Sequence, residues 1–304
     1  MKKLPAVLVA LLLFQPCQAT AVENGTDASG NAFVVPITRT YSATSTGFCS
    51  GVLVASKIVV TAKHCVLDSK GLVTKNVFVG KAGSSLASIL PTDKVKSIET
   101  ENYAGPSSKN LSLTSDIAFL ILSHDQKVML PISLATDVEV ESIRAAGGTL
   151  QGYGYGFYAD SGGSIPTFPK GYSGTYSSRI PTASNSGYMK SLPGNACIGD
   201  SGSPVLSNVD GRSILIGILT GVNQSVNCTK LNSDGSYYAL FTLVNKYQDL
   251  ALKAITLADA YSSPIASAKR PSQSNRTIAC RKGSIVKKVT AVNPKCPAGY
   301  LASK

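Results

Sequence analysis

A serine hydroxyl attacks carbon at neutral pH only when a base lies within hydrogen-bond reach and a third group holds that base in place. Three frames in this chain could supply such a set. His64 stands in Thr61-Ala62-Lys63-His64-Cys65, Asp116 in Ser115-Asp116-Ile117-Ala118, and Ser201 in Cys197-Ile198-Gly199-Asp200-Ser201-Gly202-Ser203-Pro204. The chemistry would be attack on an acyl carbon, with Ser201 as nucleophile, His64 as base and Asp116 as the carboxylate that orients it. Each frame alone is weak. A serine in a glycine-rich turn is ordinarily a turn residue, an aspartate before an apolar run a solvated strand end, and a histidine beside a cysteine a surface residue. Their occurrence together, in order and separated by 52 and 85 residues, is what points to catalysis. His124 has no such frame and reads as an exposed loop residue.

The elements that must position these residues read as β-structure. Val52-Leu53-Val54-Ala55 and Ile58-Val59-Val60-Thr61 flank Ser56-Lys57, a β-branched hairpin with a polar turn. Val77 to Val79, Ile117 to Leu122, Ile214 to Leu219 and Tyr237 to Leu243 are further strand candidates, separated by Gly, Ser, Asn and Pro without βαβ alternation. Antiparallel barrels are the natural packing, and about 240 residues suffice for one large domain or two small ones. Leu243, Tyr247, Leu250, Ala254 and Leu257 recur at helical spacing, predicting one docking helix at the end of the body. Residues 151–188, rich in Gly, Tyr and Ser, read as long surface loops.

The chain begins with an address. Lys2 and Lys3 precede an apolar run from Leu4 to Phe14, too short to span a bilayer and suited to a secretory signal. Phe14-Gln15-Pro16-Cys17 lacks the small residues expected before a lipidated cysteine. Cleavage after Ala19 or after Ala21 of Ala19-Thr20-Ala21 removes Cys17 and leaves six cysteines: Cys49, Cys65, Cys197, Cys228, Cys280 and Cys296. An even number in an oxidising compartment implies disulfides; of about 15 pairings, neighbourhood in sequence favours 49–65, 197–228 and 280–296. Two histidines and no Cys-x-x-Cys make a metal site a poor rival, so no metal or cofactor is expected.

The net charge of +12 is unevenly spread. Residues 264–304 carry nine Lys/Arg and no acid, leaving the body near +1. The basicity therefore gives no ground for a nucleic-acid-binding body, and the tail lacks the interleaved aromatics of a base-stacking surface. Ser263-Pro264 opens a linker, followed by Thr277 to Cys280, a turn around Gly283, Ile285 to Val292 and Lys295-Cys296-Pro297. That pattern predicts a small hairpin stapled by one disulfide. The expected division is a signal over 1–21, one body over 22–263 and a basic linker and hairpin over 264–304.

The three frames, in the order His, Asp, Ser, resemble those of the trypsin/chymotrypsin-like serine proteases of secreted bacterial type, and the likeness spans roughly residues 22–260. The resemblance implies an all-β fold of two antiparallel six-stranded barrels with the active site between them. It also implies the first two cysteine pairings, with Tyr153 of Gly152-Tyr153-Gly154 in place of a packing tryptophan that the chain lacks altogether. The backbone N–H groups of Gly199 and Ser201 would form the oxyanion hole, with Ser203 standing where a glycine is usual. A mature N-terminus at Val22 would pair with Asp200. Asn195, Thr220 and Val222 would line the specificity pocket, where a neutral amide at the base removes most of the attraction for Lys or Arg. The implied activity is a secreted serine endopeptidase that works through an acyl-enzyme, is not strictly specific for Arg or Lys, and needs no cofactor. Proteins or peptides are the expected substrates, an anionic surface or polymer is a candidate partner for the tail, and a monomer is expected. The alternative is a protease-like binding protein that has lost activity and acts through its basic tail.

Overall fold

The computed structural model describes residues 25–42, 45–68, 70–74, 76–101, 115–129, 132–157, 166–178, 185–191, 194–222, 228, 230–261, 276–291 and 295–302. The expected signal, Val22 and the linker at Ser263-Pro264 lie outside the described residues. The chain divides into two compact units between Tyr261 and Ser262.

The larger unit opens with a two-residue strand, β1 (Thr26–Asp27). Six antiparallel strands follow: β2 (Val34–Ser42), β3 (Ser45–Ala55), β4 (Ile58–Thr61), β5 (Val77–Val79), β6 (Val95–Glu99) and β7 (Ala118–Leu122). Their order is β5-β2-β3-β4-β7-β6, and a bridge between Phe78 and Lys94 draws the two ends of this sheet together. The expected hairpin is β3–β4, with Val52 opposite Val60. Every residue of β4 and β7 is buried. These strands therefore read as unbroken apolar runs rather than alternating ones, because a helix covers the face turned away from the barrel interior.

The second barrel follows β8 (Ser133–Leu134) and helix α1 (Asp137–Ala146). Its strands are β9 (Thr149–Gly154), β10 (Lys170–Tyr176), β11 (Ser186–Ser191), β12 (Pro204–Val209), β13 (Arg212–Val222) and β14 (Tyr237–Leu243). The path β9-β10-β11-β14-β13-β12 returns to β9, closing a six-stranded antiparallel ring, with β1 paired beside Gly171 of β10 and β8 beside β13. Helix α2 (Gln248–Ala260) closes the unit. The expected all-β fold of two six-stranded barrels is thus present.

Three expectations need correction. Residues 151–188 are not long loops: they include the end of β9, all of β10 and the start of β11. Their inward positions include Tyr172 and Tyr176, set against small residues, so hydropathy alternates weakly although both rings are buried. A side chain at Gly152 would strike the Tyr172 ring, and one at Gly187 or Gly217 would strike Phe241, so glycine is what lets these rings fill the barrel. Tyr176 meets Phe241 edge-on at 5.6 Å. The predicted helical stripe starts too early, since Leu243 ends β14 and Tyr247 lies in a 3-10 turn; the helix itself buries Ala251, Ala254 and Ala258. Finally, α2 is not the only helix. The signal for α1 is a capping box, in which Thr136 accepts from the Glu139 N–H at 3.3 Å and Glu139 accepts from the Thr136 N–H at 2.8 Å, with Gly147 left-handed at the other end.

The smaller unit pairs β15 (Arg276–Lys282) with β16 (Ile285–Ala291) around Gly283, as the hairpin expected, and adds a short third strand, β17 (Leu301–Ala302). Cys280–Cys296 joins it, and Cys49–Cys65 and Cys197–Cys228 are also closed. Thr136→Ala removes one half of the α1 box and is expected to cost about 1 kcal/mol. Urea unfolding should show this as a lower midpoint with an unchanged slope.

Candidate active site

Strand register brings His64 and Asp116 together. Thr61 of β4 pairs with Ala118 of β7, so the chain leaving β4 and the chain entering β7 run side by side. Three residues past Thr61, His64 sits in a 3-10 turn, Lys63–Val66; two residues before Ala118 stands Asp116. Asp116 uses both oxygens on this one residue: Oδ1 accepts the His64 backbone N–H at 2.9 Å, and Oδ2 lies 2.7 Å from Nδ1. The carboxylate is buried, whereas the imidazole keeps 30% of its side-chain exposure. Burial alone would lower the His64 pKa. The charge and hydrogen bond of Asp116 outweigh it and hold the pKa above its usual value, with Arg39 opposing.

The turn bearing His64 is held from three sides. Cys65 is tied to Cys49 of β3. Arg39 of β2 donates from one guanidinium nitrogen to the carbonyls of His64 and Leu67, and its plane lies 3.9 Å from the Tyr41 ring centre. Burial pushes the Arg39 pKa down to about 10, which leaves it charged at neutral pH. Lys63 is buried and donates to the Glu101 carbonyl. Sequence reasoning passed over Arg39 and Lys63. A cation alternating with threonines in β2 looks like a solvent-facing position, and its bonds are to backbone atoms remote in sequence.

Ser201 comes from the second barrel. It lies in the second of two consecutive turns, in which Asp200 N–H donates to Cys197 O at 3.0 Å and Ser203 N–H to Asp200 O at 2.8 Å. Gly199 at φ +95° and Gly202 at φ +84° supply backbone conformations that side chains disfavour. The turn is fastened to the first barrel through Ser50. Ser50 N–H donates to Ser201 O at 2.8 Å, and its Oγ donates to Gly199 O at 3.2 Å while accepting from Tyr155 N–H at 2.9 Å. Thr61 in turn donates to Ser50 O at 2.7 Å. A side chain at Gly202 would run into Thr61, Ser50 and Ala62, so the Ser201 turn lies directly against the segment leading to His64. Among the described residues, no group accepts from the N–H of Gly199 or of Ser201. Ser50 also escaped sequence reasoning; its only signal is a serine inside an apolar strand beside a half-cystine.

Asp200 is fully buried. Its carboxylate accepts from Gly156 N–H at 2.7 Å and Cys197 N–H at 2.8 Å, and no cation pairs with it among the described residues. Desolvation pushes its pKa up to about 7 against those two hydrogen bonds. A side chain at Gly154 or Gly156 would occupy the carboxylate's space, and the buried hydroxyls of Ser203 and Tyr172 have no hydrogen-bond partner among the described residues. Ser203 thus fits its position with the turn intact.

At the expected pocket, Asn195 is buried and its Nδ2 donates to Cys228 O at 3.0 Å, while Oδ1 has no partner among the described residues. Thr220 is buried with its hydroxyl 2.9 Å from that of Thr242, so the sheet already engages it. Val222 is partly buried at the end of β13, past a register shift between Leu219 and Gly221. Tyr153 packs edge-on to Phe33 at 5.7 Å, as expected of the aromatic that replaces tryptophan. His124 is exposed. Cys49, His64 and Cys65 cluster, but both sulfurs are spent in a disulfide and offer no thiolate to a metal.

A family model described as Trypsin matches residues 22–251. The chain belongs to this family and has the serine protease fold.

The chain's two histidines make the electrostatic argument directly measurable. In Asp116→Asn the His64 ring should titrate at lower pH than in wild type, and in Arg39→Met at higher pH. Imidazole NMR resonances, with His124 as the second signal, read both; a His64 titration unmoved in both variants contradicts the charge balance drawn here.

Proposed function

We propose that the protein is a secreted serine endopeptidase that cleaves peptide bonds through an acyl-enzyme. Ser201 is the nucleophile, His64 the general base and Asp116 its orienting carboxylate; the N–H groups of Gly199 and Ser201 receive the oxyanion. The observation that carries this is the His64–Asp116 pair beside a Ser201 turn whose two N–H donors are unengaged. In the reaction, Ser201 Oγ bonds to the acyl carbon as its proton passes to His64. The tetrahedral oxyanion then collapses as His64 protonates the leaving amine. Water repeats the sequence to free Ser201. Three disulfides fit an oxidising, extracellular setting. The basic C-terminal unit serves as a contact for an anionic surface.

Two finer readings belong to the same proposal. Processing after Ala21 exposes the Val22 ammonium, which enters beside Asp200. Three features support this: Gly25 is buried, Thr26 pairs beside Tyr172 in β10, and the Asp200 carboxylate lacks a described counter-charge. Second, the neutral Asn195 removes most of the attraction for Lys or Arg before the cleaved bond, and Val222 narrows the pocket in favour of small or medium uncharged side chains.

A fluorophosphonate probe should label the wild type and not Ser201→Ala. Absence of Ser201-dependent labelling in correctly processed protein overturns the peptidase in favour of a silent, tail-driven binding protein. Asp116→Asn should reduce kcat by about 10⁴-fold. N-terminal sequencing of the secreted, active protein should read Val22 first; full activity with Thr20 first sinks the Asp200 pairing. Peptides varied only before the scissile bond should show no strong preference for Arg, and such a preference would refute the role given to Asn195.

A further inference from the structure

The two faces of the small C-terminal sheet differ in what packs on them: one carries the Cys280–Cys296 staple and the Tyr300 ring, with Lys282, Ile285 and Lys287 still exposed on it, and the other carries no such group among the described residues. Directly opposed residues of antiparallel strands share a face, so register sorts the side chains. Cys280, opposite Lys287 and Ala302, belongs to the stapled face. Cys280 is fully buried and bonded to Cys296, Lys287 lies over the Tyr300 ring at 5.3 Å, and Gly299 approaches Lys282. The other face carries Val286, Arg281 and Leu301 in one row across three strands, then Ala279 opposite Lys288, then Thr277 opposite Thr290. Arg281, Val286, Lys288 and Leu301 are all exposed, and Leu301, at 79%, is the most exposed large apolar residue described. The two threonine hydroxyls bond each other at 2.7 Å and so make no demand on a partner.

We propose that this face, with Arg281 and Lys288 beside Val286 and Leu301, docks on the surface of an anionic phospholipid bilayer. The inference rests on the reading of the C-terminal unit as an anionic-surface contact and names the surface and the residues. Charge complementarity supplies the first argument: residues 264–304 hold nine Lys/Arg and no acid, so nothing in the segment repels a negative headgroup layer or neutralises the cations locally. The aliphatic side chains supply the second. A hydrated polyanion would satisfy the cations and leave Val286 and Leu301 in water. A bilayer interface takes both, with aliphatic groups at the headgroup–acyl boundary and the Arg281 and Lys288 stems reaching back to phosphate.

The test is co-sedimentation of the full-length protein with phosphatidylcholine vesicles, with and without phosphatidylglycerol. Binding should require the anionic lipid and weaken as salt rises. Arg281→Gln with Lys288→Gln should weaken it about 25-fold, from roughly fivefold per charge. Val286→Ser with Leu301→Ser should weaken vesicle binding about tenfold and leave binding to soluble dextran sulfate unchanged. Leu301→Ser alone, at a position with almost no packing to lose, should give part of that effect with the Cys280–Cys296 bond intact by mass. Equal sedimentation with and without phosphatidylglycerol overturns the proposal. So does vesicle binding indifferent to Leu301→Ser, which would assign the face to a soluble polyanion. Ser201 labelling on the same preparations reports the peptidase separately, so failure of either reading is visible by itself.

Discussion

Ser50 is the point on which the rest of the arrangement depends. His64 and Asp116 belong to the first barrel and Ser201 to the second, and neither barrel's own hydrogen bonding fixes the distance between them. One buried serine in β3 does so with three groups at once: its N–H holds Ser201, its hydroxyl bridges Gly199 and Tyr155, and its carbonyl takes the Thr61 hydroxyl. These bonds are short-range and directional, and they act where displacement of about 1 Å in a reacting group can cost a hundredfold in rate. Gly202 completes the fit by leaving no side chain between the Ser201 turn and Thr61. The same bonds that join the barrels therefore hold the Ser201 turn against the segment leading to His64.

Asp200 adds a second constraint on the same turn, of opposite energetic sign. A carboxyl whose pKa rises from 3.8 to about 7 on folding opposes the folded state as pH climbs through that window, because the folded protein binds a proton that the unfolded chain has released. Two backbone N–H groups reduce the penalty without removing it. A buried ammonium arriving beside the carboxylate reverses the sign, drawing the pKa down and converting the burden into a charge pair. Under the proposed pairing, Cys197, whose N–H the carboxylate holds, and Gly199 and Ser201, which flank Asp200, would feel that change directly. Pairing at the mature N-terminus would thereby couple export and processing to an ordered oxyanion site.

What the sequence disclosed follows from how local each signal is. The His64, Asp116 and Ser201 frames, the β3–β4 hairpin and the cysteine pairings rest on neighbouring residues, and local order in the chain suffices to read them. The strands β10 and β11 were illegible because Tyr172, Tyr176 and the glycines facing them achieve burial by ring-against-glycine packing, which a hydropathy pattern scores as a loop. Helix α1 hid behind a short apolar face, Val140 and Ile143, although its Thr136–Glu139 box was present in the letters. Arg39, Lys63 and Ser50 could not be found at all. Each acts through backbone atoms distant in sequence, and a backbone carbonyl carries no residue identity.

Charge separates the two units as clearly as packing does. With a body near +1, the first barrel keeps its few strong interactions private: the Asp116–His64 pair and the Arg39 bonds are partly or wholly buried and screened little by salt. Arg281, Lys282, Lys287 and Lys288 of the small sheet are the reverse case, exposed on a sheet too small to bury them. Mobile ions weaken exposed cations at distances near 8–10 Å while leaving the buried pair intact. Under the proposed docking and the proposed triad, ionic strength would alter where the protein is held without altering how Ser201 is activated. The disulfide Cys280–Cys296 makes this division workable, since a sheet of this size has too little core to persist on hydrophobic burial alone.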